Sequence, residues 1–265
     1  MSVSSSAATG LSAARFTTPT NGSGRFAQTD RRPQRAKPLM RKYEVAVLSP
    51  NGDIDTQTRL APATPPFEQA FCAFSRGVLI KTDRGPVAVE DLLPGDLLYT
   101  VGSGFMPLLW MGSMMLLPQD TPGATPTRLI RLSADALGIA RPMTDLILGP
   151  AARIFQHGEA IRQITGKPGA FLPATDMIDG MTAIELTPPS PVQVFHLALD
   201  GQHRIMANGV ELETMHPGDA YSLGLRGQSL ELFLSLFPHV ENFEGFGTLL
   251  HPRLRMSDLE ARGVA

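Results

Sequence analysis

Ala73-Phe74-Ser75-Arg76-Gly77-Val78-Leu79-Ile80-Lys81-Thr82-Asp83-Arg84-Gly85-Pro86-Val87-Ala88-Val89-Glu90-Asp91-Leu92-Leu93-Pro94-Gly95-Asp96 is the stretch on which the fold turns. Residues 77–82 have strand composition, and Asp83-Arg84-Gly85 is a turn. Residues 86–92 return as a short element, Leu93-Pro94-Gly95-Asp96 turns again, and residues 97–101 make another strand. Short strands punctuated by Gly, Pro and Asp every ten residues or so predict a β-rich module rather than a helix bundle.

The pattern extends both ways. Upstream, residues 43–48 read as a strand, and Asn51-Gly52 suits the positive φ angles of a tight hairpin, which predicts a second strand at 54–58. Pro62, Pro65 and Pro66 form a connector, and residues 67–74 read as a short helix or a leading strand. Downstream, strands are expected at 108–111, 127–132, 146–148, 153–155, 182–186, 192–199 and 204–207, with Asn208-Gly209 a second hairpin signal. After Pro217-Gly218 the texture changes. Residues 230–237 are apolar apart from Glu231 and Ser235, Pro238 ends that run, and Ser257 with Glu260 has the spacing of a capping box. Residues 1–42 carry Ser, Thr, Gly and Arg without apolar periodicity. The organisation expected is a disordered basic segment at 1–42, a β domain at 43–218, and a partly helical extension at 219–265 packed on it.

Composition bounds function. Among 265 residues, 25 Gly and 23 Pro favour a turn-rich fold, and 43% hydrophobic residues support a real core. A net charge of −2 gives no global pull toward nucleic acid or an anionic membrane. One cysteine excludes an internal disulfide and a Cys-rich zinc site. No apolar run reaches the length of a membrane span, and the N-terminus lacks a secretory h-region. It has an organellar-leader composition, but residues 32–38 read equally as a solvated basic linker. The expected compartment is the cytoplasm. No cofactor and no metal is expected, and a protein partner is left open.

The blocks quoted above resemble a known family. Residues 74–82, 85–92 and 94–96 are similar to the opening of Hint (Hedgehog/intein) domains, roughly Cys-Phe-x-x-Gly-Thr-x-Ile, then Val-Glu-Asp-Leu-x-x-Gly-Asp. Residues 146–154 resemble that family's Leu-x-Leu-Ser-Pro-x-His-Arg-Ile block. Phe195-His196-Leu197-Ala198-Leu199-Asp200 through His203, then Ala207-Asn208-Gly209-Val210 and Glu213, resemble its last strand pair. Bacterial stand-alone Hint-domain proteins look most similar. The resemblance implies a mainly β, horseshoe-shaped Hint-type fold with a partly helical C-terminal tail.

It also implies a chemistry. Such domains cut the peptide bond before a Cys or Ser that attacks the preceding carbonyl, while a histidine helps the amide nitrogen leave. Carried over by position, the nucleophile falls at Ala73, the family Thr at Val78, the Ser at Gly149 and the His at Ala152. An alanine methyl can neither attack nor donate a proton. His203 is retained, as a relic of the site or as a turn residue held by hydrogen bonds. Gly263-Val264-Ala265 lacks the terminal His-Asn of splicing inteins. Cys72 offers an alternative nucleophile, cutting after Phe71, or is a small buried apolar side chain. A one-residue slip would also turn its thiol to the other face. Ala73, Ala152 and His203 are expected in one neighbourhood.

Other polar residues are read as structural. His196 is a satisfied strand histidine, His157, His216, His239 and His251 are loop residues, and Glu90, Asp91 and Asp96 fix turns. Three functions stay open: a Hint-fold protein without autocatalysis serving as a structural or interaction module, an active self-cleaving domain, and an unrelated β-sandwich binding module. Full-length mass separates the first two.

Overall fold

A computed structural model describes residues 39–118 and 128–261. The expectations for residues 1–38, for the start of the strand at 127 and for the last residues lie outside the described residues. In chain order the elements are β1 (Met40–Leu48), β2 (Ile54–Pro62), α1 (Pro65–Gln69), β3 (Phe74–Ser75), β4 (Leu79–Thr82), β5 (Gly85–Ala88), β6 (Leu97–Thr100), β7 (Gly104–Pro107), β8 (Trp110–Leu116), β9 (Leu129–Leu132), β10 (Leu146–Leu148), β11 (Arg153–His157), α2 (Glu159–Thr165), β12 (Gly169–Pro173), β13 (Ala183–Leu186), β14 (Val192–Ala198), β15 (Arg204–Ala207), β16 (Val210–Glu213), α3 (Gln228–Leu234) and α4 (Met256–Glu260). One sheet runs β13-β9-β10-β3-β14-β8-β1-β2. The other runs β12-β11-β16-β15-β4-β6-β7, with β5 on β4.

The strands follow from alternation and turn chemistry. In β1, Arg41, Tyr43, Val45 and Val47 are buried while their even-numbered neighbours face outward, which is the period of a half-buried strand. The turn at 49–53 is closed by Ser49 N–H donating to Asp53 O (2.8 Å), and Asn51 Oδ1 accepts the Asp53 N–H (3.1 Å). Asn208 and Gly209, at φ of 47° and 86°, join β15 to β16 as the two-residue turn their sequence predicts.

The structure extends the sequence reading at several points. The first strand begins at Met40 rather than 43, so 40–42 are ordered. Residues 67–74 are neither all helix nor all strand. They pass from the end of α1 into β3. β7 and β12 were not anticipated, because Gly and Pro at their ends read as turns. β7 nonetheless pairs along its length with β6. The apolar run at 230–237 forms α3 two residues earlier. α4 is capped by Asp258 Oδ2 accepting the Arg255 N–H (2.7 Å), two residues before the Ser257–Glu260 box expected.

Two main cores result. An aliphatic one gathers Ile80, Val89, Leu98, Leu132, Leu148, Ile154, Leu197 and Ile205. An aromatic one gathers Tyr43, Phe67, Phe71, Trp110, Phe233 and Phe237. In the latter, Trp110 lies edge-on to Phe71 (5.2 Å) and near Phe237 (4.8 Å), and its Nε1–H donates to Leu236 O (2.8 Å). Residues beyond 219 thus complete a core begun by residues before 72.

Candidate functional site

Cys72 and Ala73 are consecutive but belong to different cores. Cys72 packs in the aromatic cluster and Ala73 in the aliphatic one. The peptide between them is held from two sides. Ala73 N–H donates to Phe195 O on β14 (2.9 Å), Gly149 N–H to Ala73 O (2.8 Å), and Ala151 N–H to Cys72 O (3.1 Å). The last two donors come from a turn after β10, closed by Ala152 N–H on Gly149 O (3.1 Å). Gly-Pro-Ala-Ala suits it, because Pro150 presets φ at the second position of a turn. Phe74 then pairs with Leu148 and Phe195, which locks the register.

The structure therefore brings Ala73 and Ala152 into one cluster, linked through the 149–152 turn. Ala152 is buried, and its carbonyl accepts the Ala174 N–H (2.9 Å). A Cβ on Gly149 would collide with the Cys72 carbonyl oxygen and carbon. Glycine is required here by backbone proximity, not by φ.

His203 is placed by other bonds. Its Nε2–H donates to Asp200 O (2.8 Å), and its backbone N–H donates to Thr214 Oγ1 (2.9 Å). Among the described residues none of its hydrogen bonds reaches residues 72–73 or 149–152. These bonds tie His203 to Asp200 and Thr214.

Cys72 is almost fully buried. Burial pushes its thiol up to about 12, against the Ala151 amide, which pulls the other way. A thiol so shifted holds almost no thiolate at neutral pH. It does border a cavity of about 330 Å³ lined also by Glu68, Gln69, Pro150 and Glu185.

One neighbour was misjudged. His196 follows Phe195, the acceptor of the Ala73 N–H, and lies edge-on to Phe74 (5.9 Å). It is buried as expected, but its Nδ1 lacks a partner among the described residues. Burial first, then the charges of Arg153 and Arg253, lower its pKa to about 3. Nearby, Glu213 is buried between Arg253 (2.9 Å) and Arg153 (3.5 Å). Residues this far apart in sequence gave no local signal of that cluster. His216 is a loop residue, as expected, but a buried one. Its Nδ1 accepts the Gly218 N–H (3.0 Å) and its Nε2 donates to Gly247 O (3.2 Å). His157 ends β11.

Two of the three turn carboxylates bond backbone amides as read. Asp96 Oδ2 accepts the Leu93 N–H (2.9 Å), and Glu90 Oε2 accepts the Gly77 N–H (2.8 Å). Among the described residues no three His, Cys, Asp or Glu side chains gather to hold a metal ion. None of the described helices is long and apolar enough to cross a membrane.

The Hint domain model matches residues 72–219. A solved structure, the solution structure of a bacterial intein-like domain from Clostridium thermocellum, is similar at 14% identity and a TM-score of 0.39, over 53% of this chain and 96% of that one. No curated protein matches the sequence.

Proposed function

The chain belongs to the Hint domain family, and from that premise we propose that it is a non-cleaving member, kept as a structural or interaction module. Its fold is mainly β, of the Hint type. The observation that carries the proposal is the state of the 72–73 peptide. The methyls of Ala73 and Ala152 stand at the aligned nucleophile and acid positions, and the 72–73 peptide is buried, its carbonyl accepting the Ala151 N–H and its own N–H donating to Phe195 O. Nucleophilic cleavage needs an attacking atom over the carbonyl, and the Gly149 backbone packs so close to the Cys72 carbonyl that a Cβ there would collide with it. Loss of one catalytic group commonly costs orders of magnitude in rate, and paired losses leave little.

One observation favours the alternative, self-cleavage through Cys72 after Phe71: the cavity that borders Cys72. Against it stands a thiol raised by burial and turned into the aromatic core. The two readings separate on one measurement. Purified protein incubated with dithiothreitol, which captures thioesters, is expected to remain at 28.5 kDa by denaturing mass spectrometry. Release of a fragment ending at Phe71, abolished by Cys72→Ala, overturns the proposal. Ala73→Cys with Ala152→His is the pair that would rebuild the aligned chemistry.

A further inference from the structure

β2 is the last strand of its sheet, and among the described residues nothing pairs with its outer edge. It is nine residues long. Long unprotected edges are rare, because their free amides template pairing with another chain.

The β1–β2 ladder tells which amides are free. Ser49 N–H reaches Asp53 O at one end and Ala63 N–H reaches Leu39 O at the other. With the register Leu48↔Ile54 to Met40↔Pro62, odd-numbered residues of β2 bond to β1. Alternation then turns the N–H and C=O of Ile54, Thr56, Thr58 and Leu60 outward. None of these is proline. The side chains on this edge are exposed, including Ile54 at 40% and Leu60 at 66%. Asp55 and Arg59 have no ion-pair partner among the described residues. Asp55 takes the Ser49 hydroxyl, and Arg59 Nε donates to Gln57 Oε1 (2.9 Å).

We propose that the β2 edge pairs antiparallel with β2 of a second copy, about a two-fold axis at Gln57, extending the sheet across both chains. That register puts Thr56 opposite Thr58 and Ile54 opposite Leu60, and the outward-facing amides are the ones that meet as hydrogen-bonded pairs. It also puts Asp55 opposite Arg59, twice by symmetry. Opposite charges and paired apolar side chains across strands are stabilising. Neighbouring registers match worse. An axis at Thr56 sets Arg59 against Asp53, which lies in the turn before β2, and leaves Asp55 facing Gln57 and Ile54 facing Thr58. An axis at Thr58 sets Asp55 against Ala61 and Ile54 against Pro62, which has no N–H to give. A two-fold contact of this kind is self-complementary and closes at the dimer. The inference stands apart from the reading of the 72–73 bond.

The test is sedimentation equilibrium of the full chain over a wide concentration range. The expected result is a reversible dimer at twice 28.5 kDa. Asp55→Arg alone and Arg59→Asp alone each place like charges opposite one another twice, and each is expected to weaken the dimer at least tenfold. An equimolar mixture of the two variants restores both attractions and is expected to restore a dimer. Thr58→Pro removes an outward amide without touching the β1 ladder, and is expected to give a folded monomer with near-normal melting. A wild-type chain monomeric at the highest concentration, a dimer indifferent to the single charge reversals, or a mixture that fails to reassociate overturns the proposal. So does a monomer whose β2 edge is occupied by another part of the chain.

Discussion

The aliphatic and aromatic cores differ in how far along the chain their members come from. Much of the aliphatic core is assembled from short strands whose turns are written beside them: Ile80, Val89 and Leu98 lie within twenty residues. The aromatic core joins Tyr43, Phe71, Trp110 and Phe237 from distant segments. The first contains such a local meander and adds Leu148, Ile154, Leu197 and Ile205 from later strands, while the second is a clasp between the beginning and the end of the described chain. The 72–73 peptide sits at the seam, one residue in each. What happens at that bond is therefore decided by backbone packing from both sides, and not by side-chain identity alone.

The largest test of this contrast is Trp110→Ala. It empties the centre of the clasp and strips the Leu236 carbonyl of its donor. A loss of about 3–5 kcal/mol is expected, read from urea midpoints. A loss under about 1 kcal/mol would mean that the C-terminal segment does not share this core. Next comes the seam. Gly149→Ser restores the family hydroxyl but drives a Cβ into the Cys72 carbonyl. A loss of about 1–3 kcal/mol is expected, with Gly149→Ala as damaging, since volume and not the hydroxyl is at issue. Wild-type stability in either variant would show that the 149–152 turn does not press on the bond.

The smallest effect is a slope. The folded-state pKa of His196 is lowered to about 3 from 6.5, so between those values the unfolded chain binds the proton more readily. Its contribution to stability is complete above 6.5 and is lost as pH falls toward 3. His216, His239 and His251 are shifted the same way by burial. The Asp179 carboxyl, held down by the Thr182 hydroxyl and nearby amides, acts only below its ordinary 3.8 and so does not contribute between pH 7.5 and 5. Urea midpoints at pH 7.5, 6 and 5 are expected to fall, and His196→Phe to remove about one proton from the slope. An unchanged slope would mean that this histidine reaches solvent.

The contrast also explains what the sequence could tell. Strands flanked by Asn-Gly or Pro-Gly-Asp were legible because turn residues and alternation are local. β7 and β12 were hidden because their terminal Gly and Pro carry the same signature as a turn, and only pairing with β6 and β11 makes them strands. At the site, block spacing pointed to Ala73 and Ala152, which share one cluster, and strand alternation pointed the Cys72 thiol away from Ala73, which lies in the other cluster. The unpartnered His196 nitrogen and the Glu213–arginine cluster depend on which segments meet in space, and no local pattern encodes that.

β1 and α1 precede residue 73, yet β1 lies between β2 and β8 in the sheet and α1 sets Phe67 against Phe233 (5.6 Å). A chain broken at 72–73 would therefore not fall apart. Its two pieces would travel as one particle on a column and separate only in denaturant. The mark of the break would be thermodynamic: in the monomeric Thr58→Pro background unfolding would become a dissociation, and a melting temperature independent of concentration in the intact chain would climb as the nicked protein is concentrated.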